Sequence, residues 1–142
     1  MAIRRTTRTS LTVGTDIYAA GDALGVKQGL DVSPYGIIRS IIITDADDEA
    51  STTQNVWIFD SEPTGIAANA AFALTDADME KVIAVHLLNT EFDAINNRNR
   101  FEEMAIPFEA DGGKLWIQVE NEAGTPTYTS TDDVKIQIWY ED

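Results

Sequence analysis

The chain has 142 residues, no cysteine and a formal net charge of −14. That length fits one domain with a sizeable core. The lack of cysteine excludes a disulfide framework and thiolate chemistry, and the acidic excess opposes binding to nucleic-acid phosphates. No apolar run reaches the roughly 18 residues that a membrane-spanning helix needs, and the arginines near the N-terminus are followed by no apolar stretch of the secretory kind.

The charge is uneven. Residues 1–10 hold Arg4, Arg5 and Arg8 and no acid, so the remaining residues, 11–142, carry −17. The first ten residues read as an extended basic arm. Such an arm is either a frayed terminus or a segment that docks on an acidic neighbour. Residues 11–142 read as one folded domain.

Leu11–Val13 and Ile17–Ala20 are short strand candidates. Gly21 and Gly25 after them mark a bend or bulge, where a residue can take positive φ. Gly36–Thr44 holds five isoleucines on both faces and reads as a central strand. The acidic segment Asp45–Glu49 ends it. Val56–Phe59 is a short β-branched and aromatic run, which reads as a buried strand. It stops before Pro63, which has no amide donor. A small-residue loop follows, and Thr75 is placed to cap a helical turn with Asp78 in the reciprocal position.

Lys81–Leu88 is a β-branched run that favours strand. Asn96–Arg100 reads as a polar loop or an edge with unpaired charges. Met104, Ile106 and Phe108 alternate with polar or small residues, with Pro107 marking an edge or bulge. Asp111-Gly112-Gly113 is a turn signal. Leu115/Ile117/Val119 and Val134/Ile136/Ile138 show the clearest period-two alternation. Seven to nine short strands with one helical turn predict an all-β antiparallel sandwich or jelly roll.

Pairing the last two strands as a hairpin sets Trp116 opposite Trp139, both on the outward face. Such a pair is covered by another layer, closes a subunit interface, or forms a sugar-stacking platform. His86, the single histidine, sits in an apolar run and reads as a structural residue, because a triad needs a nucleophile and an orienting acid beside it. Asp45, Asp47, Asp48 and Glu49 have the oxygen ligands calcium prefers, as do Asp76, Asp78 and Glu80. Neither set has the Gly and Glu spacing of an EF-hand loop, and solvated acids are the simpler reading. No cofactor is expected, and no reaction can be read from the residues.

Several segments together resemble a family of small bacteriophage virion proteins, the capsid decoration or cement type. They are Tyr18-Ala19-Ala20-Gly21-Asp22-Ala23-Leu24-Gly25, Gly36-Ile37-Ile38-Arg39-Ser40-Ile41, Trp57-Ile58-Phe59-Asp60-Ser61-Glu62-Pro63-Thr64, Asn69-Ala70-Ala71-Phe72-Ala73-Leu74-Thr75-Asp76-Ala77-Asp78 and Thr129-Ser130-Thr131-Asp132-Asp133-Val134. The resemblance implies a jelly-roll protein without enzymatic activity. It would sit on the outer surface of an assembled head, commonly as a homotrimer, and bridge subunits of the major capsid protein. On that expectation Arg4, Arg5 and Arg8 contact the shell, and Trp116 and Trp139 close the oligomer. The alternatives are a tail- or fibre-associated component and a glycan-binding β-sandwich module.

Overall fold

The computed structural model describes residues 1–49 and 52–142. Among them the elements are β1 (Ile3–Arg5), β2 (Thr9–Ser10), β3 (Asp22–Asp31), β4 (Tyr35–Asp45), β5 (Thr53–Phe59), the helical turn α1 (Asp76–Met79), β6 (Val82–Leu88), β7 (Glu91–Asp93), β8 (Arg98–Glu109), β9 (Lys114–Ala123) and β10 (Val134–Glu141). They form two antiparallel sheets. One runs β1-β10-β4-β8-β7, with β2 also on β10, and the other runs β3-β9-β5-β6.

The order has a simple origin. β2 pairs β10, β3 pairs β9, β4 pairs β8 and β5 pairs β6. The chain is thus one long antiparallel ribbon, turned at β5–β6 and rolled so that successive rungs fall in alternate sheets. That is the jelly-roll connectivity, and the sandwich predicted from strand alternation is observed.

The core lies between the sheets. Ile38, Ile41, Ile43, Ile136 and Ile138 from one sheet meet Leu24, Val56, Ile58, Leu115, Ile117 and Val119 from the other, all fully buried. Burying each such side chain contributes about 1.5–3 kcal/mol. The isoleucine run is apolar on both faces for a specific reason. Ile38 stands opposite Tyr140 and Ile41 opposite Ile138, with a register shift between Trp139 and Tyr140. Three residue steps on β4 therefore match two on β10. This bulge moves the inward set from even to odd positions.

Two expected strands are not strands. Leu11–Val13 and Ile17–Ala20 are irregular, although Leu11, Val13 and Tyr18 are buried. The strand lies just beyond, in β3, and runs through the glycines. Gly25 has φ +76, and a Cβ there would stand 2.1 Å from the Leu11 carbonyl oxygen. The register slips between Leu24 and Gln28, so the glycine makes the bulge predicted for it and keeps the strand continuous.

The first ten residues are extended but not detached. β1 pairs β10 through Ile3↔Glu141, Arg4↔Tyr140 and Arg5↔Trp139, and β2 pairs it through Thr9 and Ser10. Thr6 between them is a buried peg. Its N–H donates to the Ile138 carbonyl at 2.9 Å, and its hydroxyl accepts the Ile138 N–H at 3.0 Å.

Candidate functional site

The three N-terminal arginines gather on the β1/β2 edge of the first sheet. Arg4 forms an ion pair with Asp142, its own side chain remaining 53% exposed. The Arg5 guanidinium lies 5.6 Å from the centre of the Trp139 ring, a cation–π arrangement. Arg8 donates to the Thr44 hydroxyl at 2.8 Å and to the Gln137 side-chain Oε1 at 3.4 Å. Met1 and Ile3 are exposed beside them. The edge is therefore basic and partly apolar. Asp142 also accepts from the Ser33 hydroxyl, and with Arg4 this holds its carboxyl below the usual range.

Beside this edge lies a groove of about 400 Å³ on the outer face, lined by Ile3, Arg39, Ser40, Glu103, Met104 and Trp139. Arg39, one of its lining residues, pairs with Glu141. A second cleft, of about 460 Å³, opens where Pro34 and Tyr35 meet Asp60, Glu109 and Asp111.

The two tryptophans do not meet, which corrects the hairpin expected for them. β9 and β10 belong to different sheets, so their inward residues face each other across the core and their outward residues point to opposite surfaces. Both strands have an alternating pattern, but the segment joining them crosses from one sheet to the other instead of turning within one. Trp139 packs under Arg5. Trp116 stands opposite Gly29, and its ring would lie only 3.1 Å from a Cβ at that glycine. Lys27 sits 5.5 Å above the ring and is held by Glu62 and the Pro63 carbonyl. One patch containing both rings is geometrically excluded.

The loop between β5 and α1 folds back over the outer face of the second sheet. The buried Gln118 side chain accepts the Ile66 N–H at 3.0 Å and donates to the Ile66 carbonyl at 2.7 Å. Phe72 packs on Trp57 with ring centres 5.2 Å apart. Thr75 caps α1 as expected, its hydroxyl accepting the Asp78 N–H at 3.1 Å. Asp78 does not complete a reciprocal cap. Its carboxylate instead accepts the Thr64 N–H at 2.8 Å and the Gly65 N–H at 3.3 Å. Burial alone would raise its pKa, but those two donors and Lys81 hold it below the usual range.

The acidic segment after β4 answers to two arginines. Asp45 and Arg100 are both inside the fold, 0% and 1% exposed, at 3.4 Å. Arg100 also donates to the Glu49 carbonyl and the Thr52 hydroxyl. Arg98 is ringed by Asp48 at 3.1 Å, Glu91 at 2.6 Å and Asp93 at 3.3 Å. Asn96–Arg100 is therefore no edge of unpaired charges. Both arginines begin β8 and point inward, where only ion pairing makes such burial tolerable. Burial pushes the Asp45 carboxyl up, and the Asp47 N–H and the Arg100 charge pull it only part of the way back.

These geometries use the carboxylates of Asp45, Asp47, Asp48 and Asp78, four of the residues weighed for calcium, in structural roles. Asp47 and Asp133 accept the Thr129 N–H, Asp45 accepts from Asp47 and Glu49, and Asp78 holds the loop. No group of three or more acids, histidines or cysteines among the described residues is arranged as a metal site. His86 is half-buried on β6, opposite Val56.

No family model, curated protein or solved structure matches the chain.

Sequence reasoning found Arg4, Arg5 and Arg8 but not what they hold. It missed Thr6, and it read Arg98 and Arg100 as part of a polar loop or an unpaired edge, where they are buried and paired. One signal was available. Arg98 and Arg100 share the two-residue spacing of Met104, Ile106 and Phe108, so the inward row of β8 begins with charges and continues with apolar residues.

Proposed function

We propose that the protein is a non-enzymatic virion component that binds the outer surface of a phage capsid and bridges subunits of the major capsid protein. The observation that carries this reading is the basic edge. Arg4, Arg5 and Arg8 all lie along the β1/β2 edge, Arg5 on the face of exposed Ile3 and Arg4 on the other, on a body whose other residues carry −17. An acidic body keeps many copies apart in solution, while one edge of opposite sign supplies attachment. The rolled ribbon supports the reading at the level of scaffold only, since sandwiches serve many functions. Many weak attachments on one shell give avidity without a tight single site.

In this reading Arg5 faces the shell with Ile3 on one side of β1, Arg4 reaches it from the opposite side beside Asp142, and Arg8 fixes the edge through Thr44. Trp116 and Trp139 lie on separate surfaces, so a homotrimer contact that uses both sets Trp116 of one copy against Trp139 of the next. The test is co-sedimentation with capsids of the source virus stripped of this component. Saturable binding at a fixed ratio to the shell subunit supports the proposal. Folded protein that stays in the supernatant at low salt overturns it.

The glycan-binding alternative would use the groove beside Trp139. Ser40, Arg39 and Glu103 supply polar groups there, but Arg5 already occupies one face of the ring that a sugar would stack on. A glycan array is its direct test.

A further inference from the structure

We infer that the first eleven residues form an exchangeable strand, which can leave its own β10 and pair in the same register with β10 of a second copy of this chain.

Three observations carry the inference. The first is where the segment sits. β1 and β2 lie at the edge of the first sheet, and β10 is their strand partner. The side chains of β1 are exposed. The segment is therefore the outermost rung of the rolled ribbon, and its removal leaves the remaining pairs of the ribbon intact.

The second is how the segment is held. Its attachments are discrete and can be transferred. Thr6 inserts its hydroxyl and amide at Ile138, and the Gln137 amide donates to the Thr6 carbonyl at 2.8 Å. Leu11, fully buried, gives its carbonyl to the Val26 N–H at 2.9 Å. Arg4 and Arg5 add Asp142 and Trp139. Each partner belongs to residues 26–142, so a second copy offers all of them identically. The arm carries +3 against −17 for the rest of the chain, so the electrostatic attraction is the same for its own body and for a neighbour's.

The third is the connection. Thr12 has φ +55. A β-branched side chain is strained there. Gly14 follows two residues later. The strained residue lies between Leu11, which would travel with the strand, and Val13, which is buried in the body and donates to the Thr131 carbonyl at 3.2 Å. In an exchanged pair every contact of the strand is retained. The difference between closed and exchanged forms is then confined to residues 12–14 and to the entropy of association. Relief of a strained short hinge is what favours exchange.

The inference stands apart from the capsid reading, and its test uses no capsids. Because the natural chain has no cysteine, engineered thiols report without background. Ile3 and Glu141 are direct partners across β1 and β10. One preparation carries Ile3→Cys and a second carries Glu141→Cys. They are mixed at high concentration, incubated and oxidised gently. A parallel mixture of Ile3→Cys with Met79→Cys, an exposed position on α1, measures collisional crosslinking. Exchange gives a severalfold excess of the Ile3–Glu141 heterodimer over this control on a non-reducing gel. Thr12→Asn, which tolerates positive φ better, lowers that excess. A yield equal to the collisional control, or one unchanged by Thr12→Asn, overturns the inference. Both cysteines in one dilute chain form an internal bond if the closed register is correct, which keeps a folding failure from being mistaken for absence of exchange.

Discussion

Two groups of arginines hold this molecule, and they differ in one property. Arg98 and Arg100 lie inside one end of the sandwich, 8% and 1% exposed, among Asp45, Asp48, Glu91 and Asp93. Arg4, Arg5 and Arg8 lie on the surface of the opposite edge strands, beside Asp142, Trp139 and Thr44. The interior group is paired throughout with carboxylates, whereas of the surface group only Arg4 is. In the interior, removing one partner strands a charge away from water. At the surface, water replaces the lost partner at little cost. The interior group is committed to the fold. The surface group remains free to exchange its partners for those of another molecule.

The largest effect expected from this contrast is at Arg100. Arg100→Leu leaves Asp45 buried without its counter-charge and should cost about 3–5 kcal/mol in urea unfolding. The double variant Arg100→Leu/Asp45→Leu should recover only part of that loss, because it removes the stranded charge but leaves the Asp47 and Glu49 amides without their acceptor. A single variant as stable as the natural chain would erase the distinction between the two groups.

Next comes the loop clamp. Asp78→Ala removes the acceptor for the Thr64 and Gly65 amides and should cost about 2–3 kcal/mol. Limited proteolysis should then cut first between residues 60 and 75. Cleavage elsewhere would mean that Gln118 and Phe72 hold the loop without Asp78.

A smaller effect is expected with pH. The folded pKa of Asp78 is depressed, so its stabilisation is complete above its unfolded value of about 3.9. It is lost as pH falls from there through the folded value. Asp45 is shifted up, and its contribution runs the other way, since protonation relieves a buried charge. Asp78→Asn should therefore flatten the loss of stability below about pH 4, whereas the natural chain keeps it. Thermal midpoints measured from pH 6 downward decide this, and parallel curves for the two proteins would remove Asp78 from the acid response.

The smallest effect on stability belongs to the basic edge. Replacing Arg4, Arg5 and Arg8 together by Gln should leave the thermal midpoint close to that of the natural chain. The same variant should bind stripped capsids weakly and lose the salt dependence of binding. A large fall in stability would move these arginines into the class of Arg98 and Arg100.

Much of the fold is legible in residue order. The alternation at Leu115–Val119 and Val134–Ile138, the turn at Asp111–Gly113 and the Thr75 cap all appear where the pattern put them. β3 was not legible, because two glycines break the pattern of a strand that in fact bulges around Leu11. The hairpin of β9 and β10 failed because alternation gives the face of each strand but not its sheet. The candidate site was legible only as charge. Arg4, Arg5 and Arg8 stood out because no acid accompanies them in the first ten residues, while Arg98 and Arg100 were hidden in a polar stretch that resembles any solvated loop.

By itself the sequence determined the strands at Gly36–Thr44, Val56–Phe59, Val82–Leu88, Leu115–Val119 and Val134–Ile138, and the charge contrast between the first ten residues and the rest, because these depend on neighbours along the chain. The tertiary structure alone decided which strands share a sheet, that Trp116 and Trp139 part to opposite surfaces, and that two of the arginines turn inward. Those outcomes depend on how the ribbon rolls, which brings together Asp45 and Arg100, or Thr6 and Ile138, from distant positions. Such long-range pairings leave no periodic trace in either segment alone.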